Sequence, residues 1–292
     1  MNLIKTNKIH WLASFATLFI SVSAHSQNNE KKQSDFQESV KQDIQEFRDF
    51  YSKKFPNVDI NEFKDGVYAI DEKSREQWLE IEEFAPYEIS VEDGEEAFGE
   101  TFANGKSYID CFPKVEDGIR QNYPYFNTET NQVITVELAI NQCRETNGEE
   151  PLSYGRGSLA DISAYISFAS RGKTLDIKVP NEKAYAAYMA GKKFFYSKRG
   201  QLNFACADCH LNIAGSMLRA DLLSPALGHP TAMPVYRSNW GELGTLHERY
   251  AECNKNVRAK PLTLQGEDYR NVEYFQTLMS QGMEVNGPSS RK

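Results

Sequence analysis

The 292-residue chain is poor in several things, and each shortage excludes a class of function. Beyond its first residues it has no apolar run long enough to span a bilayer, so no transmembrane body is expected once the N-terminus is removed. It is short of positive charge: 33 Lys+Arg stand against 41 Asp+Glu, a formal net charge of -8, the wrong sign for a nucleic-acid partner. Residues 76–100 hold ten Asp/Glu and no Lys/Arg, which reads as a solvated acidic face in loop or extended structure. There is no low-complexity segment and no sustained strand alternation, so the class is mainly α. Only five cysteines are present, and their placement carries most of the argument below.

The first residues look like an export signal. Lys5 and Lys8 precede an apolar run, Trp11 to Val22, and Ala24-His25-Ser26 has the small-x-small pattern that predicts cleavage before Gln27. The run is about half of the ~20 residues a spanning helix needs. Cleavage removes two lysines and no acid, so the mature chain becomes more acidic still. Export to the periplasm places the protein where unpaired cysteines require an explanation.

Four segments are expected: a signal peptide at 1–26, an N-terminal extension with linker and helix at 27–100, a middle domain at 101–180, and a C-terminal domain at 181–292. Residues 27 to about 40 are polar and read as linker. Val40, Ile44, Phe47 and Tyr51 have helical spacing, and Pro56 stops that helix. In the middle block a helix ends near Asn141-Gln142-Cys143-Arg144. Another carries Leu159, Ile162, Tyr165, Ile166 and Ala169 on one face and stops at Arg171-Gly172-Lys173. The last block has a helix from Glu182 to about Lys198, a loop-rich centre, and a closing helix from about Glu267 to Gln281.

Cys206-Ala-Asp-Cys209-His210 is C-x-x-C-H, the attachment motif of a covalent haem c. The spacing is demanding, because two thioethers and an iron–imidazole bond must be satisfied from one turn of chain. A zinc site would need two further ligands in a similarly tight pair, and a thioredoxin-type motif would need a βαβ setting; neither is found. Cys206 and Cys209 are therefore the haem-binding pair and His210 the proximal iron ligand. Gly191 and Phe195 on the preceding helix, with Tyr274 and Phe275 on the closing one, have the arrangement by which first and last helices cross in cytochrome c domains.

The ligand on the opposite side of the iron decides between an electron carrier and a catalyst. Met217 lies too near the motif to loop round the haem, and Met279 and Met283 belong to the closing helix and its core. His229, Met233, His247 and Cys253 remain on chain length alone. Cysteine counting favours the last. With two cysteines taken by haem and Cys111 and Cys143 able to pair in the middle block, Cys253 is left over. Arg249, Lys255, Arg258 and Lys260 surround it, cations that would lower a thiol pKa and attract an anion. A buried structural thiol is the plain alternative, and the protein would then be an ordinary periplasmic electron-transfer cytochrome with a Met or His distal ligand. A haem-bearing binding subunit whose catalytic centre lies on its partner is a third reading.

These residues resemble the SoxA subunit family of the SoxAX cytochromes of bacterial thiosulfate oxidation. The similarity runs through Leu202 to Cys206, Gly228-His229-Pro230-Thr231, Pro234-Val235-Tyr236-Arg237, Trp240 to Gly244, His247 to Tyr250, Cys253-Asn254 and Val257-Arg258-Ala259. In the middle block it includes Tyr123 to Phe126 and Ile140 to Arg144. The resemblance implies two cytochrome c-like domains, the N-terminal one without haem and the C-terminal one carrying one covalent haem c. It implies that Cys253 is the distal haem ligand and the catalytic cysteine persulfide, and that Arg249 contacts substrate. The implied reaction conjugates thiosulfate to a cysteine of a SoxYZ carrier with release of two electrons, an L-cysteine S-thiosulfotransferase activity. The implied partner is a small SoxX cytochrome in a heterodimer. Two-haem members have a second C-x-x-C-H where this chain reads Cys111-Phe112-Pro113-Lys114-Val115. The resemblance is thus to single-haem members, in which the remaining cysteines, here Cys111 and Cys143, are bridged.

Overall fold

A computed structural model describes residues 14–291. The export signal expected over 1–26 lies outside the residues whose side chains are described. Among the described residues no helix is long and apolar enough to cross a membrane. The chain divides into a unit of residues 1–42 and a compact unit of residues 43–292.

Helix α1 (Ser14–Lys54) is the long N-terminal element. The polar residues 27–40, expected as linker, are helical within it. Lysine, glutamate and glutamine are good helix formers, so a helix can pass through them without an apolar stripe. Helices α2 (Glu72–Glu82) and α3 (Glu88–Gly99) then occupy the acidic stretch expected as loop or extended. That expectation is corrected by residues the surrounding acids obscure: Tyr87, Val91 and Phe98 are buried at helical spacing. Gly94, between them, lets α3 lie against helix α6 (Ser158–Ala169), where a Cβ would stand 2.0 Å from the Asp161 carbonyl oxygen. The short helix α4 (Tyr108–Cys111), the hairpin β1–β2 (Tyr125–Asn127, Gln132–Ile134) and helix α5 (Val136–Thr146) complete this half. Phe98, Tyr108, Phe112, Ile140, Leu159 and Ile162 form its core.

The second half repeats the plan. Helix α7 (Glu182–Tyr196) is capped by the Asn181 side chain, which accepts from Ala184 N (2.9 Å). It crosses α9 (Glu267–Met279) at Gly191, where a Cβ would stand 1.9 Å from the Asn271 carbonyl oxygen. Phe195 packs on Phe275 with ring centroids 5.4 Å apart, the crossing expected from the sequence. Between α7 and α9 lie the hairpin β3–β4 (Met217–Leu218, Asp221–Leu222), the hairpin β5–β6 (Val235–Arg237, Glu242–Gly244) and helix α8 (Leu246–Asn256). The terminal strand β7 (Ser289–Arg291) adds parallel to β5.

The two halves correspond at a constant spacing of 110 residues: Tyr125 with Val235, Thr135 with Thr245, Cys143 with Cys253, Gly172 with Gly282. Two equivalent residues, Thr174 and Glu284, pair with each other as an isolated antiparallel bridge, so an approximate two-fold axis passes near them. Each half also reaches the helix start of the other. Thr135 Oγ1 donates to Gln265 Oε1 (2.6 Å), and Thr245 N donates to the Gly155 carbonyl (2.8 Å). Between the halves Arg120 Nη2 stands 3.6 Å from Glu273 and His247 Nε2 stands 3.0 Å from the same carboxylate, all three fully buried. Ser163 Oγ donates to Glu137 Oε1 (2.9 Å) beside them. Burial, then the nearby Glu273 charge, pushes the Glu137 carboxyl above its ordinary range.

Candidate functional site

The C-x-x-C-H residues fold as a tight turn in which His210 is held from two sides. Its Nδ1 lies 2.9 Å from the Ser224 carbonyl, which makes Nδ1 the proton-bearing nitrogen and leaves Nε2 as the free donor. Burial pushes the imidazole down to about 4, so the ring is neutral at physiological pH, the form a metal ligand needs. The His210 carbonyl accepts from Tyr51 Oη and from Ala226 N (3.0 Å). Lys54 Nζ donates to the Asn212 carbonyl (2.6 Å). Asp208 accepts from Ala205 N (2.8 Å) and closes the turn between the two cysteines' approaches. Tyr51 and Lys54, both on α1, are positioning residues that sequence reasoning did not connect with the motif. Helical spacing marked Tyr51 only as apolar, because nothing in a sequence tells a core tyrosine from one that ends on a carbonyl.

Cys253 is brought to the motif by backbone. The loop before Cys206 docks on the end of α8: Leu202 N donates to Val257 O (3.2 Å) and Gln201 N to Arg258 O (3.3 Å). Gly200 makes the approach possible, since a Cβ there would stand 2.1 Å from Val257 O and φ is +70°. Cys253, in the last turn of α8, consequently lies close enough for its charge to act on Cys206 and on Cys209. Arg199 Nη1 donates to Cys206 Sγ at 3.7 Å, its guanidinium 3.6 Å from the Phe194 ring centre. Cys206, Cys209 and Cys253 are free, and Cys111 and Cys143 form a disulfide.

The other candidates have these settings. His229 packs edge-on against His210 with ring centroids 4.7 Å apart, its Nε2 held by Ser224 Oγ (2.7 Å). In His247, Nδ1 accepts from Gln265 N (3.0 Å) and Nε2 stands 3.0 Å from Glu273 without a hydrogen bond. Met217 is exposed, and Met279 and Met283 are core. Met233 is buried, its carbonyl accepting from Ser167 Oγ (2.9 Å). Arg249 lies next to Cys253, whose charge holds the guanidinium above its ordinary value against the opposing effect of burial. Its Nη1 pairs with Glu252, which also accepts from Trp240 Nε1 (3.3 Å). Burial pushes the Glu252 carboxyl up, but Arg249, the Trp240 indole and Arg237 together outweigh it and hold the group below its ordinary range.

Residues 93–175 match the SoxA/TsdA cytochrome c domain family. The chain is 53% identical to the L-cysteine S-thiosulfotransferase subunit SoxA of Chlorobaculum tepidum, over 88% of this chain and 90% of that one. The chain belongs to the SoxA family. It is also 52% identical to the Allochromatium vinosum subunit, over 84% of this chain and 88% of that one. The crystal structure of SoxXA from Paracoccus pantotrophus contains a chain that superposes with a TM-score of 0.68 at 27% identity, covering 74% of this chain and 84% of that one.

Like other SoxA chains, then, this is a mainly α protein of two cytochrome c-like domains, and a cytochrome c domain of this family carries covalent haem c. The residues present fit that group. A neutral imidazole with a free Nε2 and two unpaired cysteines occupy one turn, and a further free thiol with an adjacent guanidinium faces them. The family match over 93–175 falls on the half that has the disulfide.

Proposed function

We propose that the chain is the single-haem subunit of a thiosulfate-oxidising L-cysteine S-thiosulfotransferase, with its reacting sulfur on Cys253. Cys206 and Cys209 would attach the haem through their sulfurs, and His210 and Cys253 would supply its iron ligands. When bound, the haem supplies a one-electron acceptor beside the reacting sulfur. The free Cys253 thiol beside the C-x-x-C-H turn, while the equivalent Cys143 is bridged, carries this reading. A single haem follows from the single C-x-x-C-H of the sequence.

In the reaction a carrier cysteine thiol loses its proton, a sulfur–sulfur bond forms to the outer sulfur of thiosulfate, and two electrons leave. The chain's own contributions are to present Cys253 as a persulfide-bearing sulfur and to hold the anion with Arg249. A SoxX-type small cytochrome is the partner in a heterodimer, and a SoxYZ-type carrier receives the thiosulfonate in the periplasm. The exposed apolar residues Leu202, Phe204, Ile213 and Met217 around the motif support a partner face on this side. The haem-less domain is read as residues 101–180, most of which lie within the family match over 93–175, and the haem-binding domain as residues 181–292.

The test is Cys253→Ala in the purified complex. It should abolish thiosulfate-dependent turnover and remove the thiolate signature from the haem spectrum, while mass spectrometry of the native Cys253 peptide should find one added sulfur, ~32 Da. Retention of both spectrum and turnover by Cys253→Ala would eliminate the reading. Arg249→Ala should lower kcat/KM by about tenfold or more with haem content unchanged, the loss of one charge-assisted contact.

A further inference from the structure

The hairpin β5–β6 places a second arginine at the mouth of this site. We propose that Arg237 is an anion-binding residue that acts with Arg249 to grip the sulfonate oxygens of thiosulfate while its outer sulfur meets Cys253. The inference rests on the reading of Cys253 as the reacting sulfur.

Arg237 stands opposite Glu242 in the hairpin register, where a surface salt bridge would be the ordinary expectation. That bridge does not form. Glu242 is taken by Arg156 (3.1 Å), and among the described residues no carboxylate lies within ion-pair distance of Arg237. Its one polar contact is from Nε to Asn239 Oδ1 (3.3 Å), so both terminal nitrogens, the fork that fits oxyanions, have no protein partner among the described residues. The guanidinium lies 5.5 Å from the Trp240 ring centre.

The surroundings tie this guanidinium to the catalytic helix. Asn239 Nδ2 and Trp240 Nε1 both donate to Glu252 Oε1 (3.4 and 3.3 Å), and the other oxygen of Glu252 binds Arg249. Trp240 can seat there only because residue 244 is glycine, where a Cβ would stand 2.2 Å from the ring. One carboxylate thus orients both arginine supports. Burial and then the charge of Arg249 lower the Arg237 guanidinium from its ordinary value. Two half-desolvated guanidiniums that repel each other gain from an anion between them. Asp221 on the β3–β4 hairpin acts on both at longer range but makes no ion pair with either. The positions 110 residues earlier are Asn127, Ala139 and Gln142, so the whole charged set belongs to the half with the free thiol.

The test uses the purified complex with thiosulfate. Arg237→Gln should raise KM for thiosulfate by about tenfold, with kcat falling less than KM rises, and should raise the inhibition constant of sulfate in parallel. Arg237→Lys, which keeps the charge without the fork, should fall between. The haem absorption spectrum should not change. An unchanged KM in Arg237→Gln overturns the proposal. Should Arg237→Gln lose haem, Arg237→Lys decides instead: a raised KM supports the proposal and an unchanged one overturns it. Turnover surviving in Cys253→Ala would sink the underlying reading. Turnover abolished in Cys253→Ala, with KM untouched in Arg237→Gln, would sink this inference alone.

Discussion

The two halves of residues 88–291 share a fold and differ in what their cysteines do. Cys143 and Cys253 occupy equivalent places in the last turn of equivalent helices after equivalent hairpins. In the first half Cys143 reaches Cys111 directly and closes a disulfide over a sequence separation of 32. In the second half Cys253 stays free and the chain between the first motif cysteine and the equivalent glycine is longer: Gly118 follows Cys111 closely, whereas its counterpart Gly228 lies well beyond Cys206, past Gly215 and the β3–β4 hairpin. The extra chain supplies Cys209, His210, the β3–β4 hairpin and the Ser224 carbonyl that orients His210. A covalent pin keeps the first half together, and the second leaves the same position a free thiol. The lesson is that one scaffold supports either outcome, and the loop beside α4 or after α7 decides which.

The largest expected effect comes from the helix crossings. Gly94→Ala and Gly191→Ala would each drive a Cβ into a backbone carbonyl, at 2.0 and 1.9 Å, and should lose about 3 kcal/mol or more. The two should separate in cofactor retention: Gly191→Ala should also weaken haem incorporation, and Gly94→Ala should not. Equal haem loss in both would show that the halves do not fold as independent frames. Haem content per chain and thermal unfolding of each variant measure this.

Of comparable size is the effect of removing the pin. Cys111→Ser with Cys143→Ser should lower stability by roughly 3–4 kcal/mol from the loop released in the unfolded chain, with the haem spectrum and turnover retained. Loss of turnover at temperatures where the variant remains folded would give the disulfide a role beyond the first half.

The smallest effect lies between the halves. Glu137 has a raised folded-state pKa, so its stabilisation is complete below its unfolded pKa of about 4.5 and declines as pH rises through the folded value. Glu137→Gln, neutral at every pH, should therefore raise Tm more at pH 8 than at pH 5, by an amount equivalent to about 1 kcal/mol. A Tm difference independent of pH would mean that Glu137 is ionised in the folded protein.

Local chemistry made much of this molecule legible. The C-x-x-C-H turn, helices α5, α6, α7 and α9, the Gly191 crossing and the capacity of Cys111 and Cys143 to pair are all signalled by residues close in sequence or by period; helix α8, inside the stretch expected as loop-rich, is not. Helices α2 and α3 were not legible, because ten acids in 76–100 dilute the apolar spacing of Tyr87, Val91 and Phe98. Counting thiols and the cations near it favoured Cys253, and the family resemblance picked Arg249 among those cations. Chain length alone left His229, Met233, His247 and Cys253 all open.

Tertiary structure alone set His229 against His210, gave His247 Nδ1 to Gln265 and carried Cys253 to Cys206 through the Gly200 approach to Val257. It also left the Arg237 fork without a partner by giving Glu242 to Arg156. The division has one physical cause. Thioether attachment, capping and helical burial are specified over a few residues, so composition and spacing determine them. The side chains around the C-x-x-C-H turn and Cys253 come from α1, two hairpins and α8, and their meeting is set by backbone packing across the whole fold.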